Sequence, residues 1–157
     1  MIYKTESISD GYIPDSQIES SIDVLNTDYA SCGVSFDLAG IDRTLNDTWF
    51  NEASPDTYVY PSHGFVCSLW MVTNVRSCSP SQTAMKNQLR KGGANALNIY
   101  SVGFVNGSGA GLLGYATFPW LYSDDPMDDG VVLRYSTVPG GTSAPYDMGR
   151  TLTHETG

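Results

Sequence analysis

The chain has 157 residues, with 17 acidic side chains against 8 basic ones and a formal net charge of −9. This length suits one domain with a sizeable core, and a composition of 41% apolar and 16% charged residues argues against a disordered chain. The acidic excess would repel phosphate backbones and no apolar run approaches the ~20 residues of a membrane span, so we expect neither nucleic-acid nor membrane partners.

The first third of the chain predicts a strand, a helix and a second strand. Residues 1–3 are typical of a strand end, and Pro14 stands where a first helical turn begins. The apolar residues that follow keep helical spacing: Ile18, Ile22, Leu25 and Tyr29. Gly33 is placed to end this helix, and residues 34–38 then alternate apolar and polar as in a half-buried strand. A helix followed by a strand without a hairpin signal indicates an α/β architecture.

The second half of the chain predicts two more helices and three strands. Ser79, Pro80 and Gln82 form a capping pattern at the start of a helix that ends before Gly92. Lys86 and its basic neighbours suit the C-terminal end of that helix dipole. Strands are predicted at 97–102, 112–118 and 131–135, and a last helix should begin near Asp147.

Two loops invite a ligand interpretation. The glycine-rich segment 107–111 lacks the Lys-Ser/Thr of a phosphate loop and opens no helix, so we do not assign it to phosphate. Four aspartates, at 124, 125, 128 and 129, either form a solvated acidic loop or could hold a calcium ion through oxygen ligands. Their spacing is not that of an EF-hand.

The last residues, 149–157 (GRTLTHETG), contain the pair His154-Glu155. In the H-E-x-x-H helix of zinc proteases, two His one turn apart face the same metal, and the Glu takes a proton from metal-bound water. The first half of that pattern is present here, and its second His would be residue 158.

Cysteine usage and sequons bear on the compartment. The three cysteines, Cys32, Cys67 and Cys78, form no C-x-x-C pair, and their odd number leaves the pairing open. Two N-x-[ST] sequons, at Asn46 and Asn106, are compatible with secretion. No basic-plus-apolar signal peptide is recognisable at Met1.

With these elements in order, the chain resembles the pappalysin family of metzincins, in particular the small secreted metalloproteases of fungi. The resemblance includes LGYATFP at 113–119 and GRTLTHE at 149–155. Further blocks follow in the family's order, at 9–12, 25–29, 33–36, 42–44, 85–86, 89–92, 97–100, 129–131 and 139–141.

The resemblance implies a metzincin-like upper subdomain, with a twisted mixed five-stranded sheet and helices, from a zinc-dependent endopeptidase that acts on proteins or peptides outside the cell. His154 would be a zinc ligand and Glu155 the general base. The strand containing Leu113, Gly114, Tyr115 and Ala116 is either a plain structural strand or the edge that aligns an extended peptide by main-chain hydrogen bonds.

Two departures from the family qualify this interpretation. The remaining zinc ligands and the Met-turn do not occur within residues 1–157, so we expect a truncated catalytic domain without a lower subdomain and without activity. Residues 58–77 have no family counterpart and are either a lineage-specific loop or hairpin, or a translated intron.

Other classes fit less well. A Ser/His/Asp hydrolase is not supported, because no G-x-S-x-G elbow occurs and His63 and His154 are the two histidines. The alternative is a non-catalytic secreted binding module that uses exposed Trp and Tyr side chains in the 49–70 region.

Overall fold

The computed structural model describes residues 1–55, 57–58, 76–77 and 80–157, with only the backbone described at 57–58 and 76–77. The described residues form a mixed α/β fold, which confirms the predicted fold class. The helices are α1 (Asp15–Tyr29), α2 (Asp47–Glu52), α3 (Pro80–Leu89) and α4 (Arg150–Thr156). The strands are β1 (Ile2–Tyr3), β2 (Thr44–Leu45), β3 (Thr57–Tyr58), β4 (Arg76–Ser77), β5 (Ile99–Val102), β6 (Gly114–Ala116) and β7 (Val131–Arg134).

Five of these strands form two neighbouring sheets. β1 pairs with β2 in parallel, and β7 pairs with β5 in parallel and with β6 in antiparallel orientation. β1 lies near β5 but does not pair with it, so a two-stranded sheet (β2-β1) lies next to a three-stranded sheet (β5-β7-β6). β6 therefore takes an outer position, next to β7 alone among the described strands.

The strand β7 divides the core into two clusters because successive side chains of a strand point to opposite faces. Val132 joins one cluster with Phe50 of α2 and Met85 of α3. Val131 and Leu133 join the other. That second cluster also contains Leu25 of α1 and Leu152 of α4. The sheet is thus covered on both faces, which explains the uninterrupted apolar run of β7.

The first helix follows its predicted pattern. α1 begins directly after Pro14, and Leu25 is fully buried while the other positions of its apolar stripe are half-buried. A short 3₁₀ turn (Ala30–Cys32) extends it, and Gly33 ends that turn in the left-handed conformation with φ 69°. The spacing of the apolar residues therefore predicts this helix correctly.

The strand predicted at residues 34–38 is wrong. The Asn26 side chain hydrogen-bonds both backbone groups of Phe36: its Oδ1 accepts from Phe36 N at 2.7 Å, and its Nδ2 donates to Phe36 O at 3.0 Å. These backbone groups are therefore not available to a neighbouring strand. The ring of Phe36 packs edge-on against Tyr29, while Val34 and Leu38 are exposed. A strand that was not predicted, β2, pairs with β1 instead.

The segment 58–77 lies almost entirely outside the described residues, as do Cys67, Cys78 and the capping residue Ser79. What is described is an antiparallel pairing of β3 with β4, in which Thr57 faces Ser77. The two ends of the segment therefore come together.

Candidate active site

The helix α4 is fixed to the rest of the molecule along one side. Leu152 is buried in the second cluster, and the Thr153 hydroxyl donates to an Asp28 carboxylate oxygen at 2.6 Å. Arg150 pairs with the same Asp28 of α1. These contacts set the rotation of α4 and determine which face its next two side chains occupy.

α4 begins three residues later than predicted. Asp147 lies in the loop before the helix, where its carbonyl accepts from Gly140 N at 3.0 Å. Gly149 then precedes the helix with φ 78°, a left-handed conformation that favours glycine and redirects the chain. Arg150 is accordingly the first helical residue.

The sequence leads us to expect His154 and Glu155 on the last turn of this helix, with both side chains largely exposed. They do lie on the last turn of α4, and His154 is exposed, but Glu155 is half-buried, so the expected exposure is wrong for Glu155. The reason is that α4 packs against β6. A Cβ built on Gly114 would lie 3.0 Å from Glu155 Cγ and 3.1 Å from Thr151 Cγ2. The absence of a side chain at Gly114 therefore allows the close approach of α4.

This burial changes the acidity of Glu155. Desolvation raises the pKa of the Glu155 carboxyl above its usual value, and the neighbouring His154 opposes the rise through its charge. A carboxylate whose pKa is raised is a better proton acceptor, which is the property required of a general base.

The hydrogen-bonding pattern of β6 leaves part of its backbone directed away from the sheet. Arg134 N donates to Leu113 O at 2.8 Å, and Thr117 N donates to Gly130 O at 3.3 Å. Tyr115 is opposite Val132 in the same register. Because the bonds of an antiparallel pair alternate along the strand, the N–H and C=O groups of Gly114 and Ala116 point to the open edge.

The four residues named from the sequence for this strand therefore have different positions. Gly114 and Ala116 offer outward backbone groups, whereas Leu113 and Tyr115 direct theirs toward β7. The Tyr115 side chain packs on the first cluster, and its hydroxyl donates to Ala53 O at 3.2 Å. Gly114 is the point at which the outward edge meets Glu155.

The donor set for a metal is incomplete. His154 offers an exposed imidazole, but among the described residues no group of three or more His, Cys, Asp or Glu side chains is arranged to hold a metal ion. A catalytic zinc takes three protein ligands, so the described residues do not by themselves fit a zinc ion. The four aspartates of the 124–129 loop likewise form no calcium site among those residues.

Two of those aspartates instead form ion pairs that were not predicted. Lys86 Nζ lies 3.0 Å from Asp128 Oδ1, and the Lys86 side chain is only 1% exposed. Arg90 pairs with Asp129 at 3.3 Å. Lys86 was expected to interact with the C-terminal end of its own helix dipole, but its partner lies 42 residues away in sequence. No local pattern indicates such a pair.

The binding-module alternative loses one of its candidate residues. Trp49 is 8% exposed because Asn46 caps α2 and turns its apolar side to the first cluster. The other aromatic side chains of the 49–70 region, apart from the buried Phe50, lie outside the residues described with side chains. In the described part of the chain, no helix is long and apolar enough to cross a membrane.

Curated proteins that are similar to this chain are named metalloproteases. The extracellular metalloprotease 1 of Coccidioides posadasii is 36% identical over all of this chain, and the extracellular metalloprotease of Colletotrichum graminicola is 32% identical. The alignments cover 47% and 46% of those proteins, so the chain spans about half the length of the curated relatives it matches. No protein-family model matches the sequence.

A solved structure agrees with the fold. Mature mirolysin from Tannerella forsythia, in complex with a cleaved peptide, superposes with a TM-score of 0.56 at 25% identity. The superposition covers 99% of this chain and 58% of the mirolysin chain. The fold therefore matches about half of mirolysin, as expected for a metzincin-like upper subdomain.

Proposed function

We propose that this chain forms the peptide-aligning part of a secreted, zinc-dependent endopeptidase of the pappalysin type. Its metalloprotease relatives support the class of enzyme, and the name extracellular supports secretion. The substrates would be proteins or peptides, as the cleaved peptide bound to mirolysin suggests for that protein.

The observation that carries the proposal is the contact between Glu155 and Gly114. It brings a carboxylate with a raised pKa to a strand whose outward N–H and C=O groups can bind an extended peptide. A peptide held by Gly114 and Ala116 would pass beside Glu155 with its backbone already ordered. Such positioning supplies a large part of the catalytic effect in enzymes.

In this proposal His154 is one ligand of the metal and Glu155 accepts a proton from the attacking water. Zinc, when bound by a full set of ligands, would polarise the scissile carbonyl and acidify a water. The outward amides of Gly114 and Ala116 hold the peptide and prevent it from rotating. Glu155, once protonated, can return the proton to the leaving nitrogen.

Residues 1–157 alone are expected to bind zinc weakly and to cleave no peptide. Among the described residues His154 offers the one imidazole, and a single imidazole cannot fix the geometry of a catalytic metal, which needs three protein ligands. The proposed enzyme therefore needs two further ligands beyond those of the described residues.

The test compares residues 1–157 with a chain extended through the family's H-E-x-x-H-x-x-G-x-x-H segment and Met-turn. Both are assayed on an unfolded protein substrate with and without a chelator. Glu155→Gln should abolish cleavage by the extended chain, whereas Glu19→Gln, at an exposed position of α1, should leave it unchanged. Chelator-sensitive cleavage by residues 1–157 would overturn the expected inactivity. An inactive extended chain with zinc bound would overturn the proposed function itself.

One observation favours peptide binding without hydrolysis as a second candidate. Phe118 and Trp120, just after β6, are 58% and 69% exposed and stack with ring centroids 4.5 Å apart. Contiguous exposed apolar surface, of which this stacked pair forms a part, is a candidate interaction site. If peptides bind residues 1–157, and Trp120→Ala weakens that binding while the extended chain remains inactive, this candidate replaces the protease.

A further inference from the structure

The turn between β5 and β6 has a fixed base and an open tip. At the base, the backbone N–H groups of Val105 and Asn106 both donate to Asn51 O, at 3.1 and 2.9 Å. Phe104 is buried in the first cluster, and Gly109 is buried against it. The tip between them is different, since a Cβ built on Gly107 would meet nothing within 4 Å.

The tip carries a sequon in which both reactive side chains face solvent. Asn106 and Ser108 are exposed, and the Asn106 side chain makes no capping bond to the 3₁₀ turn that follows (Gly107–Gly109). The carboxamide nitrogen of Asn106 and the hydroxyl of Ser108 are therefore both accessible. Gly107 between them adds no side chain that could block a large substituent.

We propose that Asn106, and not Asn46, is N-glycosylated in this protein, an inference that rests on the secretion proposed above. The donor is an oligosaccharide linked to a lipid pyrophosphate, and the acceptor is the carboxamide nitrogen Nδ2 of Asn106. A bond forms between Nδ2 and C1 of the first sugar as the bond from C1 to the pyrophosphate oxygen breaks. Nδ2 loses one proton to a base, the lipid pyrophosphate leaves, and nothing is oxidised or reduced.

The second sequon provides an internal comparison. Asn46 is half-buried, and its Oδ1 accepts from Trp49 N at 2.9 Å as the N-cap of α2. This bond fixes the plane of the carboxamide at a helix whose Trp49 and Phe50 side chains belong to the first cluster. A glycan on Asn46 would have to project from a half-buried side chain that is held at the start of α2. The structure therefore favours Asn106 alone as the acceptor.

The whole chain is expressed for secretion in a eukaryotic host, and the glycosylated positions of the product are mapped by mass spectrometry. A peptide-N-glycosidase converts each glycosylated Asn into Asp, which identifies the modified position. We expect this conversion at Asn106 and not at Asn46. Asn106→Gln and Ser108→Ala should each remove the glycan, whereas Thr48→Ala, which destroys the other sequon, should leave the mobility of the protein on a gel unchanged.

Three results would overturn the assignment: a secreted product without glycan, conversion at Asn46, or a glycan that survives both Asn106→Gln and Ser108→Ala. The two variants change exposed side chains at a turn tip, and urea unfolding checks that they remain folded. The outcome is independent of peptide hydrolysis, because it is read as a mass. A glycosylated but inactive protein would contradict the proposed enzyme and leave the Asn106 site intact.

Discussion

Replacing Gly114 by Ala tests whether the contact between α4 and β6 positions Glu155. The added methyl would lie 3.0 Å from Glu155 Cγ and 3.1 Å from Thr151 Cγ2, distances that require the neighbours to shift by a few tenths of an ångström. The side chain at residue 114 would point to the α4 face. The outward N–H and C=O groups of this residue would remain available to a peptide.

The expected cost in stability is small. Overpacking a well-packed site typically costs about 1–3 kcal/mol, and replacing Gly by Ala in an ordinary strand conformation returns roughly 0.5–1 kcal/mol of chain entropy. We therefore expect Gly114→Ala to lower the free energy of unfolding by about 1 kcal/mol. The larger effect should be on the position of the Glu155 side chain, which has to move away from the edge of β6.

The functional effect should appear in kcat. A displacement of about 1 Å can cost on the order of 100-fold in rate, so a shift of a few tenths should cost roughly tenfold. KM should change little because the peptide-binding groups of β6 are backbone atoms. The measurement compares kcat and KM of the extended chain before and after the substitution, with urea unfolding of residues 1–157 in parallel.

Gly40→Ala is the matched control, because a Cβ at Gly40 would meet nothing within 4 Å. It should leave kcat unchanged and leave stability unchanged or slightly improved. If Gly114→Ala keeps the full kcat, or raises KM alone, Gly114 does not position Glu155, and the site as described would be wrong.

Three further predictions concern the fold. Tyr100 has a buried hydroxyl with no hydrogen-bond partner in the described part of the structure. Tyr100→Phe should therefore raise the free energy of unfolding in urea by about 1 kcal/mol. Burial also raises the pKa of the Tyr100 phenol to about 12. Because the pKa of the unfolded phenol is about 10, the wild type should lose stability as pH rises from about 10 to 12, and a Phe variant with the same loss would refute this. Lys86→Met should cost about 3–5 kcal/mol by leaving Asp128 without its cation, whereas Lys86→Met combined with Asp128→Asn should recover part of that loss; equal losses would show that the ion pair is not responsible. Asn26→Ala should cost about 1–3 kcal/mol, because both backbone groups of Phe36 lose their partners, and a neutral result would show that the 34–38 segment is held by its apolar contacts alone.

The elements that the sequence predicts correctly are those specified by local patterns. α1 follows a helical apolar spacing after Pro14, and β7 is a short apolar run flanked by turn residues. Residues 34–38 carry an equally clear strand pattern, yet the backbone N–H and C=O of Phe36 bond to the side chain of Asn26 and not to a neighbouring strand. Alternation describes which side chains are apolar. It does not say whether a neighbouring strand is within reach, and that depends on residues far away in sequence.

The candidate site shows the same division between local and distant information. The pair His154-Glu155 is a motif that can be read directly from the sequence, as is its position on the last turn of a helix. The half-burial of Glu155 is not, because it depends on a glycine at residue 114 in a different element. A larger side chain there would keep α4 away from β6, leave Glu155 in water and remove the cause of its raised pKa. Gly114 therefore contributes to the proposed chemistry by having no side chain, and the motif that contains Glu155 holds no information about it.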